Sequence, residues 1–135
     1  MPNSIRLTEP DAERLTVLHR FVRTPTEGEH LRRLEEKIAD ADVMEPESIP
    51  ADVVTMNSQV RVTDLKSGGS AVYTVVFPSG ADARRNRISV LGALGSSLLG
   101  RRAGEEFEYV SSAGSERCRI EEVVYQPEAA GDYSA

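Results

Sequence analysis

The spacing of apolar residues changes once along this 135-residue chain, and that change constrains the fold more than any other feature. Before Met44 the apolar positions recur every three or four residues; after it they recur every second residue. The first spacing lays a stripe along a helix, and the second lays a face along a strand. Glu45-Pro46-Glu47-Ser48-Ile49-Pro50 lies at the change and reads as a linker, because two prolines in five positions interrupt either pattern. The expected class is α+β, with helices in front and a mostly antiparallel sheet behind.

In the front part, Thr8-Glu9-Pro10-Asp11 is a helix start, with a capping hydroxyl, a proline in the first turn and two acids at the positive end of the dipole. Ala12, Leu15, Leu18 and Val22 follow as one stripe. Thr24-Pro25-Thr26 breaks that helix, and Thr26-Glu27-Gly28-Glu29 has the form of a capping box for a second one. Leu31, Leu34, Ile38 and Ala41 make the second stripe. Two helices of roughly fifteen residues joined by a short turn should pack antiparallel and project about 20–25 Å, at ~1.5 Å per residue.

In the back part, Val53–Met56, Gln59–Leu65, Ala71–Phe77, Ile88–Leu91, Glu106–Val110 and Arg117–Tyr125 are the expected strands. Leu94 to Leu99 is a short helix closed by Gly100, and Ser111 to Ser115 is a turn. The resulting division is a helical hairpin over 1–43, a linker over 44–52, a β-rich domain over 53–126 and a small polar tail over 127–135.

Charge narrows the function classes. The chain has a net charge of -6, and residues 1–52 hold twelve of the acids against seven bases. Phosphate backbones repel such a surface, so direct nucleic-acid binding is not expected. Cys118 is alone, which excludes an intrachain disulfide, and His19 and His30 with no cysteine near them make an incomplete metal site. No metal and no cofactor is expected. Met1 to Leu7 lack the apolar core of a signal peptide, and no run approaches the ~20 apolar residues of a membrane span, so a cytoplasmic location is expected.

Three stretches carry a resemblance. They are Pro50-Ala51-Asp52-Val53-Val54-Thr55-Met56-Asn57-Ser58, Leu94-Gly95-Ser96-Ser97-Leu98-Leu99-Gly100, and Tyr125-Gln126-Pro127-Glu128-Ala129-Ala130-Gly131-Asp132-Tyr133. With the order of parts, they resemble the Gre transcript-cleavage factors, and most of all the Rnk branch, the regulators of nucleoside diphosphate kinase. The resemblance implies an N-terminal coiled coil, an FKBP-like C-terminal domain, and binding to RNA polymerase near its secondary channel in competition with Gre factors. It implies a regulator and not an enzyme, with any effect on nucleoside diphosphate kinase levels arising through transcription.

The chain departs from the Gre pattern in its front, where the helices are several turns shorter than the Gre arm. Arg23, Thr26, Glu27 and Glu29 stand at the expected hairpin tip, where they can face the polymerase or simply cap and balance the second helix. Arg84, Arg85, Arg87, Arg101 and Arg102 form two basic clusters that suit either docking or a solvated loop. Two other functions fit less of the sequence. One is a self-associating adaptor built on the hairpin; the other is a peptidyl-prolyl isomerase using Tyr73, Phe77, Phe107, Tyr109 and Tyr125.

Overall fold

A computed structural model describes residues 5–111 and 113–132. The expected turn position Ser112 and the chain ends, including Tyr133, lie outside the described residues.

The chain opens with strand β1 (Arg6–Thr8) and helix α1 (Glu9–Leu15). Thr8 caps α1 as expected, its hydroxyl accepting the Asp11 N–H at 3.2 Å. The helix then stops after seven residues, not fifteen. Thr16 turns its hydroxyl back onto the Glu13 carbonyl at 2.7 Å, and β-branched Val17 follows. Both features compete with continued α-helical bonding. Leu18–Phe21 form only a 3-10 turn.

Helix α2 (Pro25–Ala39) has the expected length, but its cap lies two residues earlier than expected. Thr24, not Thr26, accepts the Glu27 N–H at 3.1 Å, and the Glu27 carboxylate accepts the Arg23 N–H at 2.8 Å. Two Thr-x-x-Glu frames overlap here; Pro25 decides between them, because proline fits the first helical position and has no N–H to lose there. Strand β2 (Asp42–Met44) then pairs in parallel with β1, so both helices lie within one crossover.

The back of the chain is a five-stranded sheet of order β5-β4-β3-β7-β6. Its strands are β3 (Gln59–Asp64), β4 (Ser70–Val76), β5 (Arg87–Ser89), β6 (Glu106–Ser111) and β7 (Gly114–Tyr125). All pairs are antiparallel except β4 with β5, which run parallel. Helix α3 (Ala93–Leu98) follows β5 and packs on β6. The expected strand at Val53–Met56 is instead a hydrogen-bonded turn. Ser58 Oγ accepts the Thr55 N–H at 2.9 Å, Asn57 has φ 68°, and only Val53 makes a bridge, to Arg102.

The helical front is not an arm standing off the sheet. Leu15, Leu18, Leu31 and Leu34 share one buried apolar cluster with Val54, Met56, Val60, Leu91, Leu98, Leu99 and Ile120. β1 also donates from Arg6 N to the Gly100 carbonyl at 3.2 Å. The apolar stripes therefore face the body of the protein instead of pairing only with each other. Two glycines set this packing. A Cβ at Gly95 would stand 2.1 Å from the Ser89 carbonyl oxygen, so α3 can press onto its own approach only without a side chain there. Gly100, at φ +82°, ends the helical segment against Ile5.

The linker and the tail are held as well. Ile49 is buried, and the Gln126 amide donates to the carbonyls of Pro50 at 2.7 Å and Val53 at 2.8 Å. Glu128 accepts the Thr55 hydroxyl at 2.7 Å.

Candidate functional site

The residues expected at the tip all lie at the start of α2, where Pro25 and the Thr24 cap place them. Arg23 and Thr26 are exposed, and Glu27 is tied into the cap. Glu29 stands 3.8 Å from Arg32 and 3.9 Å from Arg33, in pairs too exposed to hold a fixed geometry. The tip carboxylates thus have local partners, and both roles weighed for them remain compatible with their exposure.

The two arginine clusters differ in character. Arg84 and Arg85 lie exposed on the turn before β5, where Asp82 accepts the Arg84 N–H at 3.1 Å and stands 3.7 Å from the Arg85 guanidinium. Arg87 turns inward and donates to the Gly80 carbonyl at 3.1 Å. Arg101 donates to the Ser97 carbonyl at 2.6 Å and lies 5.1 Å from the centre of the Phe107 ring. Arg102 reaches Asp52 at 3.1 Å and so fastens the linker to the segment between α3 and β6. In the first cluster Arg84 and Arg85 stay exposed while Arg87 is bonded to the fold; the second is mostly spent on the fold.

One groove was not foreseen from the sequence. It lies between α2, α3 and β6, has a volume of about 320 Å³, and is lined by His30, Arg33, Lys37, Ser97, Arg101, Glu108 and Tyr109 among others. His30 Nδ1 donates to the Leu91 carbonyl at 2.8 Å, which fixes its ring at the groove wall. Burial, reinforced by Arg101 and Arg33, lowers the Lys37 ammonium to about 8. The signal was present as the spacing 30, 33, 37 on one helix, which places three basic residues on one face. Attention to the apolar stripe alone passes over it.

A second unforeseen feature is a buried polar seam. Asp11 accepts the Met56 N–H at 3.0 Å, and Thr55 links Ser58 and Glu128. Desolvation raises the Asp11 carboxyl to about 6 against the pull of the Met56 hydrogen bond, and Glu128 raises it further. The seam joins α1, the 55–58 turn and the end of the chain.

Other residues have structural roles. Cys118 is buried, and desolvation with Asp64 and Glu116 nearby pushes its thiol up, the opposite of a reactive thiolate. Phe107 is buried and Phe77 packs half-buried against the core, Tyr73 and Tyr109 line a small cavity of about 220 Å³ with Leu94 and Cys118, and Tyr125 lies exposed at the end of β7. Among the described residues no cluster of His, Cys, Asp and Glu is suited to a metal, and no helix is long and apolar enough to cross a membrane.

Comparison with known proteins agrees with this architecture. Residues 49–125 match the family model of the transcription elongation factor GreA/GreB C-terminal region. The regulator of nucleoside diphosphate kinase from Escherichia coli (strain K12) is 39% identical over 94 residues, 69% of each chain. Transcription elongation factor GreA of Rhodopseudomonas palustris (strain TIE-1) is 29% identical over 96 residues, 71% of this chain and 61% of that protein. The solved structure of a prokaryotic transcription elongation factor GreA/GreB from Nitrosomonas europaea aligns over 90% of this chain and 98% of its own, with a TM-score of 0.75 and 39% identity. The chain belongs to the GreA/GreB transcription elongation factor family.

Proposed function

We propose that this protein is a non-catalytic transcription regulator that binds RNA polymerase near the secondary channel and competes there with Gre factors. The observation that carries this reading is the combination of a Gre-type region over residues 49–125 with a short front. That front has a seven-residue α1 and a fifteen-residue α2 folded onto the body. A helix of that length spans only about 22 Å. A carboxylate assists a magnesium ion only from about 2 Å. Glu27 and Glu29, capped and paired at the start of so short a helix, fit occupancy without stimulated RNA cleavage.

Arg84 and Arg85 are the docking residues in this reading, since both are exposed and Asp82 holds only the Arg84 backbone N–H and, at 3.7 Å, the Arg85 guanidinium among the described residues. A net charge of -6 favours a protein partner over free nucleic acid, and a cytoplasmic site of action follows from the partner. Influence on nucleoside diphosphate kinase levels would then be an indirect result of altered transcription.

The test is competition on a backtracked elongation complex. Adding this protein to core polymerase and a Gre factor is expected to inhibit transcript cleavage, with relief by excess Gre factor. Cleavage stimulated by this protein alone would give Glu27 or Glu29 a catalytic role and overturn the short-front reading. Reversing charge with Arg84→Glu and Arg85→Glu is expected to weaken polymerase binding at least tenfold and to flatten its loss with salt, because the attraction that salt screens is gone. Unchanged binding would move the docking surface elsewhere.

A further inference from the structure

We infer that the groove between α2, α3 and β6 is a binding site for a small phosphate oligoanion, with Lys37, Arg33 and Arg101 as its cationic contacts. The inference does not depend on polymerase binding.

Three observations support it. First, the cations come from both walls: Arg33 and Lys37 from α2, and Arg101 from the segment after α3. Secondly, the charges of Lys37 and Arg33 are not cancelled by a close ion pair, while Arg101 also holds Glu105. Lys37 makes no ion pair among the described residues, and its closest polar contact is the Ser96 carbonyl at 3.4 Å. Arg33 has, among the described residues, only the exposed Glu29 at 3.9 Å as an ion-pair partner. Glu105 is held by Arg101 at 3.4 Å and by the Arg102 N–H at 2.6 Å, leaving Glu108 as the one carboxylate on the lining. Thirdly, about 320 Å³ lies at the small end of ligand sites, enough for two linked phosphates and little more. Such a ligand would meet planar guanidiniums and an ammonium in a partly desolvated groove, where charge-assisted hydrogen bonds are strongest.

Proton linkage supplies a separate signature. Lys37 is faced by Arg33 and His30 on its own helix, by Arg101 and Glu105 beyond α3, and by Glu108 and Tyr109 on β6. The first cause of its lowered pKa is burial, and the next is the two arginines. An anion seated against it would restore the charged form, so binding above about pH 8 should take up a proton.

The experiment is calorimetric titration of the full chain with inorganic pyrophosphate at low ionic strength. One saturable site is expected, weaker at about pH 9 than at about pH 7 and with proton uptake at the higher pH, as the titration of Lys37 dictates. Lys37→Gln should lose about tenfold in affinity, the usual scale for one charge-assisted contact. Arg33→Gln, on a side chain 63% exposed, endangers no folding and should lose severalfold. Absence of binding at about 1 mM ligand, the weak limit of specific recognition, would overturn the inference. So would affinity unchanged in both variants. A parallel titration with a nucleoside diphosphate separates the sources. Equal or weaker binding assigns the site to the free oligophosphate, as its volume requires, and tighter binding would overturn the size argument.

Discussion

Asp11 is a carboxylate held where its charge is disfavoured. It is 2% exposed, and burial raises its pKa from 3.8 to about 6 although it accepts the Met56 N–H. Between those values the folded protein holds a proton that the unfolded chain has released. Stability therefore falls as pH rises from about 4 to about 6, and this group adds no slope above that. Two pKa units correspond to about 3 kcal/mol. Asp11→Asn keeps an acceptor for Met56 and cannot ionise, so its urea midpoint should lack this slope. Parallel pH curves for the two proteins would refute the burial argument. Gly95 offers a second test with an unusual sign. Glycine to alanine within a helix is ordinarily stabilising by about 1 kcal/mol. Here the new Cβ would stand 2.1 Å from the Ser89 carbonyl, so Gly95→Ala should instead lose about 1–3 kcal/mol in urea unfolding.

At the scale of elements, α2 depends on its cap. Thr24→Ala removes the acceptor for the Glu27 N–H and should lower stability by about 1 kcal/mol. Thr26→Ala, at an exposed position inside the first turn, should change it by a few tenths at most. Thermal unfolding of the pair checks the assignment, and equal losses would refute it. The two overlapping Thr-x-x-Glu frames were both visible in the sequence, and the proline between them was the deciding datum. The early end of α1 was less visible. Leu15, Leu18 and Val22 keep a helical spacing, but Thr16 and Val17 break the helix, and a 3-10 turn still delivers Leu18 to the core. β3 and β6 follow the alternation within Gln59–Leu65 and Glu106–Val110, because each has one face toward the core, whereas β4, expected over Ala71–Phe77, buries both Val75 and Val76. Val53-Val54 misled because their pairing with the 100–103 segment is a single bridge that the turn at Thr55–Ser58 cuts short.

For the whole molecule the question is whether front and back are separate. Leu31 and Leu34 lie in the same buried cluster as Leu91, Leu98 and Leu99, and Asp11 bonds across to Met56. Unfolding in urea should therefore be one transition. Far-UV circular dichroism, dominated by α2, and tyrosine fluorescence, to which Tyr73, Tyr109 and Tyr125 on the sheet contribute, should report the same midpoint. Loss of helix at a lower urea concentration than loss of the tyrosine signal would make the front an independent unit.

The sequence by itself determined the α+β class, most strand positions, the cap of α1 and the membership of residues 49–125 in a Gre-type family. Those properties depend on neighbours along the chain: periodicity, turn residues and short motifs. Only the tertiary structure decided that the helical stripes face the body of the protein, that Arg102 and Arg87 bond inward while Arg84 and Arg85 stay outside, and that Lys37 meets Arg101 across a groove. Apart from the bond of Arg87 to Gly80, these contacts join residues dozens of positions apart. Their energies depend on burial and on the sum of neighbouring charges, quantities that exist only once the chain has folded.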